Sequence, residues 1–566
     1  MPRIGVLITY EEVYGKRGSL DDLHALLRPL SFYSVIVSLG KINAVMRTWL
    51  NEPDIETDKE ICKLLFGAEA TRVERVRERY PAGVAVTRMT VLYVCRQAAL
   101  SCASDGQSID SPEDLLAIGQ CCLIANDLSL TVRFAPSSPV RDKAAALIPF
   151  SSYLGREDYS NEIARTQIIL METAKSHKAA ASPDFVDLAE LFRQTTGISI
   201  TDFASLVFGL LTRYLGLTLR DLFGNPDSYF VPPTFFGRTA VDHATLDRFL
   251  DLICIDLEAL RERLTRGASR PPTDMLVFQA SPCVRNEHGS LFCIDPIALI
   301  EKASTGVYWI LNSTPYAADN RLFRFWGLLF EEYVNGLLMG AHNPELGQFV
   351  PNPLFADGEE VSDACLLEGL DLLLLEHKAS ILTSKAKYSG DLTEFEADVV
   401  RKLVGTDVER KGVRQLAHSI ERILRGDHIP SLPNLRQSRI FPALVVQDRA
   451  LTSFYMNTYL NEFFPRDGLR KINRTVITPV FVLTVGDIED LCCYLHSYKI
   501  SDLLDEHYSQ NKKLVSGFRG TEHPMLQGAV PRSTPVRERF RAFSEEMMSR
   551  FFPEEGKPAT GVPRPT

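Results

Sequence analysis

Apolar residues recur at helical spacing through the first 270 residues of the chain. Positions three and four residues apart fall on one face of a helix, so this pattern predicts a mostly helical domain over residues 1–270. No segment recurs at a fixed period, which argues against a solenoid. We expect this half to sense or dock a partner. The predicted helices cover residues 21–50, 87–99, 112–127, 161–175, 185–194, 202–215 and 243–266.

The pattern changes after the run Arg270-Pro-Pro-Thr273. Short runs rich in β-branched residues, bounded by turn residues, predict buried strands. Prolines within one of these runs predict an edge strand. We therefore expect an α/β domain over residues 271–515, followed by a proline-rich tail over 516–566 with one short helix at 536–552. The predicted strands are 348–355, 440–447 and 476–484, and the predicted helices are 321–339, 411–424, 451–463 and 488–504.

Residues 363–378 have the pattern of a β-hairpin. Two apolar runs flank Gly369, and a two-residue Gly-Leu loop suits a type II′ turn. This register places Asp363 directly opposite Glu376, and opposed residues have Cβ atoms roughly 4.5–5.5 Å apart. Asp371 lies five residues before Glu376 and therefore points to the other face. The spacing selects Asp363 as the partner of Glu376.

The two opposed carboxylates favour a bound divalent cation. In an ordinary hairpin, Asp363 and Glu376 would place like charges opposite each other, which destabilises a strand pair. Lys378 shares their face by strand alternation and offsets part of this repulsion, whereas a cation offsets all of it. Carboxylate oxygens suit Mg²⁺, with Mn²⁺ as a substitute. Such an ion lowers the pKa of bound water and stabilises charge on a transferring phosphoryl group.

Asp363, followed after twelve residues by Glu376-His-Lys378, resembles the core motif of the PD-(D/E)xK nuclease superfamily. Ser362 stands where the motif has its proline. The predicted order of helix, three strands, helix and strand also resembles the restriction-endonuclease-like αβββαβ core of that superfamily. The resemblance implies catalytic roles for Asp363, Glu376 and Lys378, with Asp363 and Glu376 as metal ligands.

The predicted helix before the strands carries Phe330-Glu-Glu-Tyr-Val. It resembles the first helix of the superfamily, in which a glutamate completes or orients the metal site. The resemblance points to Glu331 as a further catalytic residue and metal ligand. Helical periodicity places Glu331 and Glu332 about equally at the edge of the apolar arc, so the residues alone leave both open.

The predicted helix at 411–424 has a buried stripe and an opposite polar face that includes Lys411, Arg414 and Gln415. The surrounding residues 378–474 hold 17 Lys and Arg against 11 Asp and Glu. Local positive charge beside the proposed site fits phosphate binding, and the resemblance implies a substrate contact for Gln415. These three residues are the predicted nucleic-acid contacts. A solvated polar face is the alternative.

Composition limits the remaining classes of function. The 45% hydrophobic and 24% charged residues are typical of a globular protein, while a net charge of −10 argues against a general nucleic-acid coat. The eleven cysteines show no CxxC pair, which favours reduced thiols and a cytoplasmic location. No apolar run reaches the roughly 18 residues of a membrane span, and the first residues are too short a run for a signal peptide. No Walker A loop is present, so we expect no ATP-driven step.

These observations predict a Mg²⁺-dependent nuclease acting on DNA, with RNA left open. The resemblance suggests bacterial restriction, anti-phage defence or DNA repair as its setting. The rival interpretation is a catalytically inactive nuclease-like fold that serves as a nucleic-acid-binding or complex-assembly module. The sequence leaves open the mode of cleavage, the oligomeric state and the partner or trigger of residues 1–270.

Overall fold

The computed structural model describes residues 6–46, 55–103, 106–130, 135, 137–154, 159–239, 241–406, 408–433, 435–472, 475–519 and 523–551. The architecture is mixed α/β. Helices predominate in the first half of the chain, and the larger mixed β-sheet belongs to the C-terminal half.

Helices form most of the first 270 residues, as predicted. Several begin at a hydroxyl that accepts a hydrogen bond from the third amide of the helix, as at Thr9, Ser19 and Ser111. Such caps satisfy amides that have no partner within the helix. The helices are α1 (Tyr10–Tyr14), α2 (Leu20–Leu27), α3 (Phe32–Val45), α4 (Ile55–Phe66), α5 (Ala70–Arg79), α6 (Arg88–Ser101), α7 (Pro112–Ala125), α8 (Val140–Leu154), α9 (Tyr159–Gln167), α10 (His177–Ala180), α11 (Leu188–Thr196), α12 (Ile200–Thr212), α13 (Leu219–Gly224), α14 (His243–Ile253) and α15 (Leu257–Arg266).

Two helices predicted in the first 270 residues are interrupted, and the helix predicted at 488–504 is likewise divided. The helix predicted at 21–50 is divided into α2 and α3 around Pro29, and residues 47–50 lie outside the described residues. The helix predicted at 243–266 is divided by strand β3 (Cys254–Asp256), which pairs in parallel with β4 (Cys283–Arg285). A further parallel pair, β1 (Val6–Leu7) with β2 (Gly83–Val84), was not predicted. Each pairing joins segments distant in sequence, so local periodicity carries no signal for it.

The remaining elements alternate strands and helices. The strands are β5 (Leu291–Cys293), β6 (Gln348–Pro351), β7 (Ala364–Glu368), β8 (Asp371–Lys378), β9 (Arg439–Val446), β10 (Val476–Ile477) and β11 (Phe481–Thr484). The helices are α16 (Leu276–Ala280), α17 (Pro296–Lys302), α18 (Thr305–Asn312), α19 (Arg321–Ala341), α20 (Ser384–Tyr388), α21 (Leu392–Val399), α22 (Gly412–Arg425), α23 (Met456–Asn461), α24 (Arg466–Leu469), α25 (Val485–Cys492), α26 (Ile500–Gln510) and α27 (Pro535–Phe551).

A six-stranded mixed sheet organises the C-terminal half. Its order is β10-β9-β8-β7-β6, and β11 also pairs with β9. Strand β7 runs antiparallel to both β6 and β8, whereas β9 runs parallel to β8. The strand predicted at 476–484 is divided into β10 and β11 at Thr478-Pro479, because proline has no amide hydrogen to donate to a ladder.

Alternating leucines bury both faces of the central strand β8. Leu373 and Leu375 face α19 and join the large core that includes most of the helical half. Leu372 and Leu374 face α22 and belong to a second core. A strand covered by helices on both faces is expected to be almost entirely apolar, as this run is.

The helical half and the sheet layer share buried polar contacts across residue 270. The Arg165 side chain of α9 donates two hydrogen bonds to the Glu489 carboxylate of α25, at 2.6 and 2.9 Å. Tyr333 of α19 donates a further hydrogen bond of 2.6 Å to Glu489. The Glu489 carboxylate therefore joins helices α9, α19 and α25, which come from both sides of the predicted domain boundary.

The helix predicted in the tail is α27. It packs against α9, and its Phe543 ring lies 6.0 Å from the Phe208 ring between centroids. This helix is thereby joined to the helical half. Residues 552–566 of the predicted tail lie outside the described residues.

The described ranges contain several apolar helices. None of them is individually long and apolar enough to cross a bilayer. Helices Leu188–Thr196 and Ile200–Thr212, which meet at 66°, pass the criteria of length and composition only when taken together.

We expect Arg165→Met to destabilise the protein by about 3–5 kcal/mol, because it leaves the buried Glu489 carboxylate without its cation. Arg193→Met is the matched control, since Arg193 pairs with Glu190 on the surface, where an ion pair contributes only about 0–1 kcal/mol. Thermal and urea unfolding of both variants measure the difference. Equal stability of the two variants would contradict a structural role for the buried pair.

Candidate active site

The β7–β8 hairpin has the predicted register. Gly369 adopts a φ of +73°, which suits the first position of a primed turn, and Glu368 pairs with Asp371 beside it. The last pair of the ladder is Ala364 with Leu375, and the next residues outward are Asp363 and Glu376. Asp363 and Glu376 therefore lie opposite each other at the open end of the hairpin, as predicted.

Asp363 is held in place directly before strand β7. Its Oδ2 accepts a hydrogen bond of 2.5 Å from the amide of His377. Its backbone carbonyl accepts bonds from the Asn335 side chain at 3.1 Å and from the Asn352 amide at 3.0 Å. Burial raises the pKa of the Asp363 carboxyl, and the charge of Lys378 opposes that shift. The site therefore contains a fixed carboxyl group with a weakened preference for its charged form.

Glu376 is the most deeply buried carboxylate of the site, with 1% of its surface exposed. Its Oε1 accepts a hydrogen bond of 2.5 Å from the Lys378 ammonium, while its Oε2 is buried without a hydrogen-bond partner among the described residues. Burial raises the pKa of Glu376 to about 8, and the nearby Asp363 charge contributes to the increase. An unsatisfied buried carboxylate oxygen is costly, so a cation or water ligand at Oε2 would be stabilising.

Lys378 provides the positive charge of the site. Burial by itself lowers the pKa of Lys378, but the Glu376 and Asp363 carboxylates more than offset this effect and raise it. The intervening His377 lies on the opposite face of the strand. Burial lowers the pKa of His377 to about 3, so its ring is neutral at physiological pH. Lys378 therefore remains protonated while His377 carries no charge.

The two glutamates of α19 have different surroundings. Glu331 accepts hydrogen bonds from Asn352, which also contacts Asp363, and from Lys178 at 3.0 Å. Glu332 instead accepts a hydrogen bond of 2.6 Å from Ser176 of the helical half. The structure thus brings Glu331, rather than Glu332, next to the end of the hairpin.

Three further residues belong to this site and were not identified from the sequence. Asn352 has a backbone φ of +48°. The two prolines that flank it, Pro351 and Pro353, are the feature of the sequence that could have indicated an unusual turn here. Partial burial and the charges of Asp363 and Glu331 raise the pKa of Glu360, although the residue as a whole is exposed. Lys178 comes from the helical half, and nothing in its local sequence connects it to the hairpin.

Two carboxylates of the site meet the requirements of a divalent cation. Asp363 and Glu376 are hard oxygen donors, and the unpartnered Oε2 of Glu376 suits an added ligand. Across the residues that the structure covers, no group of three or more His, Cys, Asp or Glu side chains is arranged to hold a metal ion. Glu331, the proposed third ligand, is engaged by Lys178 and Asn352 instead. The arrangement therefore fits an ion held by two carboxylates and completed by water.

The predicted nucleic-acid contacts lie at the first turn of α22. This helix buries its apolar stripe against β8 and β9 and leaves Arg414 and Gln415 partly exposed. Lys411 forms an ion pair of 2.9 Å with Glu409. Further along, Arg422 pairs with three carboxylates. Acidic neighbours thus neutralise part of the positive charge that the sequence indicated.

The raised pKa of Glu376 makes stability depend on pH. Since the folded carboxyl has a pKa of about 8 and the unfolded one about 4.5, the native state binds more protons between these values. Stability in EDTA should therefore fall as pH rises from about 4.5 to about 8, by at most roughly 1.4 kcal/mol per pH unit from this group. Glu376→Gln should lose less stability over the same window. Urea unfolding at several pH values measures both proteins, and identical pH profiles would contradict the assignment.

Comparisons with known proteins identify no relative of this chain. No protein-family model matches the sequence, and neither the curated proteins nor the solved structures contain a match. The interpretation of the site consequently depends on its own residues and geometry.

Proposed function

We propose that this protein is a divalent-metal-dependent nuclease that hydrolyses phosphodiester bonds, with DNA as the preferred substrate. The observation that carries the proposal is the grouping of Asp363, Glu376 and Lys378 at the open end of the β7–β8 hairpin. Two buried carboxylates face each other there, and one ammonium contacts Glu376. Perturbed titratable groups placed together in this way are typical of functional sites.

The order of elements supports the same proposal. Helix α19, strands β6 to β8, helix α22 and strand β9 occur in the αβββαβ order of the PD-(D/E)xK superfamily that the sequence resembles, with α20 and α21 inserted between β8 and α22. The antiparallel β6-β7-β8 arrangement with β9 parallel to β8 agrees with a restriction-endonuclease-like core. This agreement rests on topology, and the function is argued from the site itself.

In the proposed reaction Asp363 and Glu376 would hold a Mg²⁺ ion completed by water, and Glu331 would become the third ligand only after releasing Lys178 and Asn352. The ion, when bound, activates a water molecule and stabilises charge on the phosphoryl group. Asn335 and Asn352 hold the backbone at Asp363, so this carboxylate keeps its position. The Glu376 carboxylate orients Lys378 through their hydrogen bond.

Lys378 acts in this proposal as a fixed positive charge. Its raised pKa keeps the ammonium protonated at neutral pH, so it does not serve as a general base. A protonated amine beside the scissile phosphate would instead stabilise the negative charge that develops on the phosphoryl oxygens. Lys378 therefore contributes to the chemical step rather than to metal binding.

DNA binding is proposed to involve Lys411, Arg414 and Gln415 on α22. This helix covers the face of β8 that carries Leu372 and Leu374. Strand alternation puts Glu376 and Lys378 on the same face, which supports a role for the three residues. The helical half is proposed to dock a partner or trigger, in a setting of restriction, phage defence or DNA repair.

One observation favours the second candidate function, a nuclease-like fold that binds nucleic acid or assembles a complex without cutting. Lys178 of the helical half contacts Glu331 at 3.0 Å, and in this arrangement Glu331 does not join the other carboxylates. A protein that keeps this contact would bind through the fold without completing a metal site.

We expect Asp363→Asn and Glu376→Gln each to abolish cleavage. Each change removes one proposed metal ligand while preserving side-chain shape. Supercoiled plasmid, linear DNA and RNA, incubated with Mg²⁺, Mn²⁺ or EDTA, provide the assay. Asp371→Asn is the matched control, because Asp371 lies in the same hairpin but pairs with Arg439 at its other end.

The wild type and Asp371→Asn should cut in the presence of metal and fail to cut in EDTA. Cleavage by Asp363→Asn or Glu376→Gln at the wild-type rate would exclude the proposed site. If the wild type binds DNA but cuts no substrate with either metal, the binding module is the better interpretation.

Lys378→Met should slow cleavage at least about 100-fold, the loss typical of one transition-state contact. The same variant should still bind Mn²⁺ in calorimetry, because a protonated lysine cannot be a metal ligand. Lys385→Met is the control, since this lysine is exposed on α20 and pairs with Glu394. Loss of Mn²⁺ binding together with cleavage would show that Lys378 supports the site structurally rather than chemically.

A further inference from the structure

A second concave site lies beyond the carboxyl ends of β8 and β9. It is a cleft with a volume of 590 Å³. Ile381, which follows β8, and Gln447, which follows β9, form part of its lining. Helices α9, α17 and α18 form other parts of its wall. The side chains proposed for catalysis do not line it. Ligands often bind beyond the carboxyl ends of parallel strands, and the volume lies within the range of small-molecule sites.

Most cations of this cleft are already paired. Arg449 contacts Glu301 at 3.0 Å, and Lys387 contacts Asp448 at 2.8 Å. Arg165 binds the Glu489 carboxylate through two hydrogen bonds. These groups form a rigid polar wall, because each charge already has a buried partner.

Lys302 differs from the other cations. Lys302 lines the same cleft and forms no ion pair with a described carboxylate; the titratable group that acts on its ammonium is the buried Cys283 thiol. Burial lowers the pKa of Lys302 to about 8. A partly buried cation without a counter-charge is costly, so an anionic group in the cleft would be stabilising.

Trp309 provides an aromatic surface close to Lys302. It lies on α18, lines the cleft and remains 44% exposed. The Lys302 stem passes along the first turn of the same helix, where a Cβ built on Gly306 would lie 3.5 Å from Lys302 Cδ. Gly306 is one turn from Trp309. A planar ring stacked on the indole would therefore lie within reach of the ammonium.

The acidic residues of the cleft limit the charge of its ligand. Glu162, Glu301 and Asp448 line it together with the four cations. These carboxylates are matched by the paired cations, so Lys302 alone remains to bind an anion, and one cation suits a single phosphate better than a polyphosphate. The favoured ligand is thus a planar base joined to one phosphate.

We propose that this cleft binds a nucleoside monophosphate group, with its base stacked on Trp309 and its phosphate bound by Lys302. This site is separate from the proposed nuclease site and does not depend on it. The group could be a free nucleotide or the 5′-terminal nucleotide of a strand, since both carry the same chemistry.

Calorimetry of the full-length protein with AMP, GMP, CMP and UMP in EDTA tests the proposal. At least one nucleotide should bind with a Kd below about 1 mM. Lys302→Met and Trp309→Ala should each weaken that binding by about tenfold or more, because each removes one principal contact. Lys302→Arg should retain binding within a few fold. Lys59→Met is the control, since Lys59 pairs with Glu56 on α4, away from the cleft.

Absence of binding by all four nucleotides would overturn the proposal. Binding that is unchanged in folded Lys302→Met and Trp309→Ala, as judged by circular dichroism, would overturn it as well. A 5′-phosphorylated tetranucleotide decides the source of the ligand. If it binds at least about tenfold more tightly than AMP, and still requires Lys302, the site holds a strand end. Equal or weaker binding assigns the site to the free nucleotide.

The same titration with Asp363→Asn separates this proposal from the nuclease proposal. Asp363 does not line the cleft, so nucleotide binding should be unchanged. A loss of binding in Asp363→Asn would place the nucleotide at the hairpin site and overturn the separate cleft.

Discussion

The burial of Glu376 beside Asp363 is the constraint on which the candidate site depends. Two carboxyl groups that lie close together out of water cannot both ionise cheaply, and burial accordingly raises the pKa of each. Lys378 offsets only part of that cost, because its ammonium bonds one oxygen of Glu376 and leaves the other unpartnered. A fold that keeps this arrangement sacrifices stability at a position where apolar residues would pack well. Perturbed carboxyl groups placed together at such a cost are typical of functional sites.

The helical half contributes directly to the surroundings of that site. Lys178 contacts Glu331, and Ser176 contacts Glu332 on the next position of α19. The buried Glu489 carboxylate further joins α9 to α19 and α25. Movement of the helical half would therefore be transmitted to α19, the helix that carries the proposed third metal ligand. This connection gives the helical half a physical route for influencing the hairpin.

The cleft and the hairpin site share the carboxyl end of β8. Lys378 ends that strand, and its carbonyl accepts a hydrogen bond of 3.2 Å from Gln447, which lines the cleft. The two sites nevertheless differ in their chemistry. Among the described residues, the hairpin presents a buried carboxyl oxygen without a hydrogen-bond partner, whereas the cleft presents one lysine without an ion pair and an exposed indole. They are suited to different ligands, a cation at one and an anionic aromatic group at the other.

The sequence by itself determined the features that follow from local periodicity. Alternation in the hairpin predicted the opposition of Asp363 and Glu376, and helical spacing predicted the buried stripe of α22. The tertiary structure decided the features that depend on distant segments. Tertiary packing placed Glu331, rather than Glu332, beside the hairpin and brought Lys178 into contact with Glu331. It also divided the helix predicted at 243–266, through the pairing of β3 with β4, and formed the cleft. The reason is physical: a repeat of two or 3.6 residues fixes which face a side chain occupies, whereas its burial and its charged neighbours depend on which remote elements pack against that face.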